Sequence, residues 1–225
     1  MLFRSELART LFTRRAVESW GIGRKSMVRF KIYIEGGGDS SDQDSEFRRG
    51  WTRFFEKAGL KGKMPAVVRG GGRQATFDSY CDATKRPKPG VVAVLLVDSE
   101  GPVTAGEDVW LHLQQRDNWQ KLSHAPDNTA FLMIQMTEHW FVADRNALAK
   151  FFGHGFKMNE LPQWSSIESV SKEAVTSVLN RATQECKQKY QKGSVSFELI
   201  GLVDPARVAN ECPAAAKLLS RLSGG

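Results

Sequence analysis

The sequence predicts an α/β fold: an open, mainly parallel sheet flanked by helices, with a helical cap toward the C-terminus. Three observations carry this expectation. From Val28 onward, strand-like apolar runs alternate with helical patterns, the signature of βαβ units. Val91–Val97 is apolar without interruption, as a parallel strand buried on both faces must be. Beyond Gly153 the strand signals stop and helical periodicity takes over.

Taken in order, Val28–Ile34 reads as a strand closed by Glu35 and three glycines. Ser45–Ala58 sets Phe47, Trp51, Phe54 and Phe55 at helical spacing, as a core-facing stripe, with Gly59 as its stop signal. Pro65–Arg69 is a short second strand ending in Gly70-Gly71-Gly72, and Gln74–Ala83 a second helix. Lys85–Gly90, with two prolines, is a loop before the third strand, Val91–Val97. Gly106–Gln115 reads as helix, Ala130–Met136 as a fourth strand, and Glu138–Phe152 as a helix with Trp140 and Phe141 turned inward. Ser171–Tyr190 has the composition of one long helix, followed by shorter helices over Ser194–Val203, Pro205–Asn210 and Pro213–Leu222. Three regions result: a basic N-terminal extension (1–27), an α/β core (28–152) and a helical C-terminal region packed on it (153–225).

Composition narrows the function classes. The 225 residues carry 32 Lys plus Arg against 25 Asp plus Glu, a net charge of +7, with 41% hydrophobic residues. That suffices for a core and excludes global disorder. No apolar run approaches the roughly 18 residues that span a bilayer, so no membrane partner is expected. Cys81, Cys186 and Cys212 are scattered and odd in number, which argues against a disulfide framework and fits a reducing, cytoplasmic compartment. His112, His124, His139 and His154 never fall at i, i+4 spacing and sit near no cysteine, which argues against a zinc enzyme. Residues 1–27 hold six basic and two acidic side chains without the apolar stretch of a secretory signal. Residues 61–90 hold seven basic and two acidic side chains, a solvated basic face or a phosphate-contact surface.

Three acids stand out by position. Glu35 follows the first strand directly, and Asp98 and Glu100 follow the third. Ligands of open parallel sheets collect outside the carboxyl ends of the strands, where strand order reverses. In extended chain, residues two apart point the same way, so Asp98 and Glu100 would face one side with Ser99 turned away. If the first and third strands are neighbours, Glu35 faces the same crevice. Carboxylates gathered in one cleft repel unless a cation neutralises them, and hard oxygen ligands suit Mg²⁺ or Mn²⁺. Singly, each of these acids reads as a turn former or helix cap, and Asp39 or Asp42 would cap the helix after the glycines. The glycines fail as a dinucleotide fingerprint because Ser41 stands where the third glycine belongs. No Gly-x-x-x-x-Gly-Lys-Ser/Thr loop and no Gly-x-Ser-x-Gly elbow occurs.

Strand-Glu35-Gly followed by strand-Asp98-x-Glu100 resembles the Toprim pattern of topoisomerases, primases and overcoming-lysogenization-defect nucleases. Longer phrases carry a closer resemblance: Ile34-Glu-Gly-Gly-Gly-Asp-Ser40, Gly71-Gly-Arg73, Leu96-Val-Asp-Ser-Glu100, Glu138-His-Trp-Phe-Val-Ala-Asp144, Ile167-Glu168 with Lys172, and Val203-Asp-Pro-Ala-Arg-Val208. Together they resemble the bacterial domain-of-unknown-function 4276 (RloG-like) family from about Val28 to the C-terminus. The commoner Toprim motif has Asp-x-Asp, whereas here the second acid is Glu100, whose longer reach alters metal geometry.

The resemblance implies a Toprim-like fold and a Mg²⁺- or Mn²⁺-dependent nuclease that hydrolyses phosphodiester bonds of DNA or RNA. Glu35 would be the catalytic acid–base group, with Asp98 and Glu100 as metal ligands. Glu138 would bind a second metal or simply open the following helix, and Asp144 is a further candidate ligand. Arg69, Arg73 and Lys172 are candidate phosphate contacts, or surface cations. His139, beside Glu138, reads as a structural histidine or a proton donor. A role in defence against phage, an ABC- or AAA-type ATPase partner in trans, and a homodimer belong to the same set of expectations. Two alternatives stand beside it: a non-catalytic interaction module that docks a partner through its C-terminal helices, and a phosphoesterase acting on a small phosphate ester.

Overall fold

The structure, a computed structural model, describes residues 29–36 and 41–224. The 1–27 extension and the capping roles of Asp39 and Asp42 lie outside what it describes. Four parallel strands form one sheet: β1 (Arg29–Ile34), β2 (Ala66–Arg69), β3 (Val91–Asp98) and β4 (Ala130–Met133), in the order β2-β1-β3-β4. Helices α1 (Ser41–Phe55), α2 (Arg73–Lys85) and α3 (Val109–Asp117) make the three crossovers that parallel strands require. The chain steps outward from β1 to β2, then returns across the sheet to β3 and continues to β4. The reversal falls between β1 and β3.

Both faces of the sheet are covered, and strand residues alternate between them. Ile32, Ile34, Val94, Leu96 and Met133 pack on one side with Phe47, Trp51, Phe54 and Phe55 of α1 and the helices that follow β4. Tyr33, Leu95, Val97 and Leu132 pack on the other with Tyr80 and Cys81 of α2, Leu113 of α3 and Trp119. The uninterrupted apolar run of β3 serves both layers, with Val94–Val97 fully buried. The aromatic stripe of α1 is core, as its spacing predicts: Trp51 stacks on Phe55 and meets Trp140 edge-on at 5.7 Å.

The helices after β4 are α4 (Glu138–Ala143), α5 (Arg145–Phe152), α6 (Lys172–Ala182), α7 (Ser194–Leu202), α8 (Pro205–Glu211) and α9 (Pro213–Ser223). Their apolar residues join the same cluster as α1 and β1, with α7 against α1 and α9 against β4. Among the described residues no helix is long and apolar enough to cross a membrane.

Four boundaries differ from those expected, each for a local reason. The first helix runs into a wide turn over Glu56–Leu60, in which Gly59 takes φ +80°. The fourth strand stops at Met133, because Gln135 turns left-handed (φ +61°) and the Met136 N–H folds back to the Ile134 carbonyl. The helix expected over Glu138–Phe152 is two helices. Asp144 leaves helical geometry (φ −119°, ψ 77°) and its side chain caps α5 at the Ala147 N–H. The long helix expected over Ser171–Tyr190 ends at Ala182, where Thr183 bonds back to the Leu179 carbonyl and residues 183–193 cross as irregular chain.

Candidate active site

The strand reversal places the ends of β1 and β3 side by side. The Glu35 N–H extends their ladder to the Leu96 carbonyl (3.0 Å), so Glu35 emerges next to Asp98 at the carboxyl edge of the sheet. A cleft of about 450 Å³ opens there. Glu35, Asp98, Glu100 and Glu138 line one side, and Lys192, Ser196, Phe197 and Ile200, from α7 and the segment before it, line the other.

Each carboxylate is anchored through one oxygen. Glu35 Oε2 accepts from Arg73 Nη1 (3.1 Å) and from the Asp98 N–H (3.2 Å). Asp98 Oδ1 accepts from both the N–H (3.0 Å) and the hydroxyl (3.1 Å) of Thr137. Glu100 Oε2 accepts from Lys172 Nζ, and Glu138 Oε1 from the Tyr190 hydroxyl. The second oxygen of each makes no protein hydrogen bond among the described residues. Glu100 reaches the cleft through a left-handed turn (φ +63°), not through the strand alternation the sequence suggests. Ser99 is turned away as expected, buried, with its hydroxyl accepting from the Gln135 N–H (2.6 Å).

Crowding of like charge leaves a mark. Burial raises the Asp98 pKa well above its ordinary value, and the charges of Glu35, Glu138 and Glu100 push the same way. Burial also raises Glu35, with Glu100 adding and Arg73 opposing. Among the described residues, no three carboxylate, imidazole or thiol groups surround one point closely enough for an all-protein metal cage. The donor set fits a looser mode, in which one or two carboxylates hold Mg²⁺ or Mn²⁺ and water completes the shell. Within the cleft, Arg73 orients Glu35 and Thr137 orients Asp98.

The remaining candidates divide. Glu138, at 4% exposure, lines the cleft and also opens α4. Asp144 does not join. Its oxygens accept from the Ala147 N–H (3.1 Å) and the Asp204 N–H (2.9 Å), which fastens α5 to the start of α8. The three candidate phosphate contacts are bound within the protein. Arg69 holds the Gly36 carbonyl (3.0 Å), Asp44 (2.8 Å) and Gln43 (3.1 Å). Arg73 grips Asp117 through two nitrogens (3.0 and 2.7 Å) besides Glu35, and Lys172 pairs with Glu100. His139 is fully buried with its ring nitrogens against the Met136 and Val170 carbonyls (3.2 and 2.8 Å), and burial lowers its pKa; it is structural.

Thr137, Asp117, Tyr190 and Lys192 were not evident as site residues in the sequence. Thr137 adjoins Glu138 and could have been found as a hydroxyl beside a candidate acid. Tyr190 and Lys192 were hidden by the helical composition of their segment. Asp117 carries no sequence signal, because its role exists only across 44 residues of chain.

A family model described as a domain of unknown function, DUF4276, matches residues 34–223. No curated protein and no solved structure matches the chain.

Proposed function

The chain belongs to the DUF4276 family, and from the geometry of its cleft we propose a Toprim-like, metal-dependent nuclease that hydrolyses phosphodiester bonds. One observation carries the reading: four carboxylates line a single cleft at the strand reversal, each pinned by a protein donor through one oxygen only. Asp144, outside the cleft, has both oxygens taken by backbone N–H groups.

A bound Mg²⁺ or Mn²⁺ supplies an activated water and neutralises charge developing on the phosphate. The protein's own part is positional. Asp98, fixed by Thr137, offers Oδ2 as a ligand. Glu35, fixed by Arg73 and the Asp98 N–H, turns Oε1 toward the cleft, where it takes a proton from the attacking water. Glu100 and Glu138 complete the negative wall that holds cations near the scissile bond. The scattered cysteines favour a cytoplasmic location, and the Toprim resemblance supports an ABC- or AAA-type ATPase partner in trans.

The test is calorimetric titration of Mn²⁺ and Mg²⁺ into wild type, Asp98→Asn and Glu35→Gln. Saturable binding in wild type, weakened at least tenfold in both variants, is the expected result. Identical, non-saturating heats in all three would overturn the metal site and leave the interaction-module reading. A second catalytic reading, hydrolysis of a small phosphate ester, is favoured by the internal pairing of Arg69, Arg73 and Lys172, which removes them from any extended phosphate track.

A further inference from the structure

An acidic cleft repels a phosphodiester strand unless cations on its rim compensate. The cations nominated by the sequence are committed elsewhere, so the substrate's charge must be met from another segment. Among the described residues lining the cleft, Lys192 is the only cation. Its ammonium lies 3.7 Å from Glu138 Oε1, outside hydrogen-bond range, and its side chain is 64% exposed. Lys192 stands beside the acids without being fixed to them.

Lys192 ends an irregular segment, 183–193, that also carries Lys187 and Lys189, both exposed. Neither makes an ion pair among the described residues. The one acid in the segment, Glu185, is paired with Lys157 at 2.6 Å. The segment is braced from beneath: the Tyr190 N–H and hydroxyl bond to Thr183 Oγ1 (3.0 Å) and Glu138, and the Cys186 N–H bonds to the Thr183 carbonyl (3.0 Å). Tyr190 and Cys186 face inward while the lysines face water. Five residues of chain reach at most about 17 Å, so all three cations lie within a few nucleotides of the cleft.

We propose that residues 183–193 form the nucleic-acid-binding strap of the cleft, with Lys192 contacting the phosphate at the acids and Lys189 and Lys187 carrying the strand outward. The inference rests on the nuclease reading and deepens it, making the substrate a polynucleotide strand and not a small phosphate ester. The strap is tied to the acidic wall through Tyr190 and Glu138, so a strand held on it runs past Glu35 and Asp98.

The test is fluorescence anisotropy of a labelled single-stranded oligonucleotide, DNA or RNA, in Mg²⁺. All proteins carry Glu35→Gln so that cleavage does not consume the probe. Replacing Lys187, Lys189 and Lys192 together by Gln should lower the slope of log affinity against log salt by about 2, since each single-strand phosphate contact contributes roughly 0.7. At 0.1 M salt that is about fivefold per lysine. Lys192→Arg should retain binding. Equal affinity and slope with and without the lysines, no oligonucleotide binding by either protein, or equally strong competition by a mononucleotide would each overturn the strap. Mn²⁺ calorimetry on the triple variant with Glu35 intact should still saturate, at least as tightly as in wild type, so failure of the strap and failure of the metal site are read separately.

Discussion

Arg73 Nη1 donates to Glu35 Oε2 at 3.1 Å across 38 residues of chain, and the same guanidinium grips Asp117 with its other two nitrogens. It also reaches the Asp98 carbonyl and lies 5.0 Å over the Trp119 ring. The candidate acid–base group is therefore aimed by a fork whose opposite end is fixed at the close of α3. Arg73 neutralises Glu35 and Asp117 jointly, so it positions the cleft and is not a spare phosphate contact.

Lysine cannot replace that fork. Arg73→Lys keeps the charge but loses the planar geometry that spans Glu35 and Asp117. The expected cost is about 3 kcal/mol of stability, read by urea unfolding, because half-buried carboxylates lose their partner. An undiminished midpoint would show that Trp119 and the backbone hold this corner without it.

Asp98→Asn should stabilise the metal-free protein. A carboxyl whose native pKa is raised contributes stability below its unfolded value and loses it as pH rises through the native one. The penalty on Asp98 therefore begins near pH 4 and grows with pH, with Glu35 adding in the same sense. Asparagine keeps an oxygen for both Thr137 donors and carries no charge. In EDTA at pH 7.5, a gain of about 1 kcal/mol, or roughly 2–4 °C in Tm, is expected, shrinking toward pH 4. Mn²⁺ should raise Tm in wild type and not in the variant. Parallel Tm–pH curves for the two proteins would refute the charge-crowding account.

Asp144→Ala separates a cap from a ligand. Losing the Ala147 cap and leaving the Asp204 N–H unpaired should cost about 2 kcal/mol. Mn²⁺ affinity measured by calorimetry should stay at the wild-type value, and a loss of affinity would return Asp144 to the metal site.

Gly50→Ala tests the seam between α1 and α7. A Cβ at Gly50 would lie 2.0 Å from the Phe197 carbonyl oxygen and 2.9 Å from Ile200 Cγ2. On an exposed helix this change gains about 1 kcal/mol. Here it should cost about 3 kcal/mol by thermal unfolding, because backbone has to move. Gly201→Ala, whose Cβ would meet nothing nearer than 3.2 Å, should cost distinctly less.

What the sequence revealed and what it concealed divide along physical lines. The strands and the α1 stripe were legible because burial writes a short-range period into the residues, as in Val91–Val97 and Phe47-Trp51-Phe54. Glu35, Asp98 and Glu100 were legible because a strand's end is itself a local signal. The helix after Ser171 is shorter than its composition suggests: Gln184–Lys189 consists largely of good helix formers, while the stop comes from Thr183 accepting the Tyr190 N–H. Arg69, Arg73 and Lys172 looked available because their partners lie 25 to 72 residues away and only the fold brings them together.

The cleft joins walls drawn from opposite ends of the described chain, with Glu35 on one side and Ile200 on the other. A ribosome releases these in order, so the acid-bearing strands β1 and β3 emerge long before α7. Until Ile200 has left the exit tunnel and α7 has settled on Gly50, the carboxylates stand at an open sheet edge with no facing wall and no lysine strap. Synthesis itself thus acts as a timer, and the pocket is assembled only after α7 has emerged.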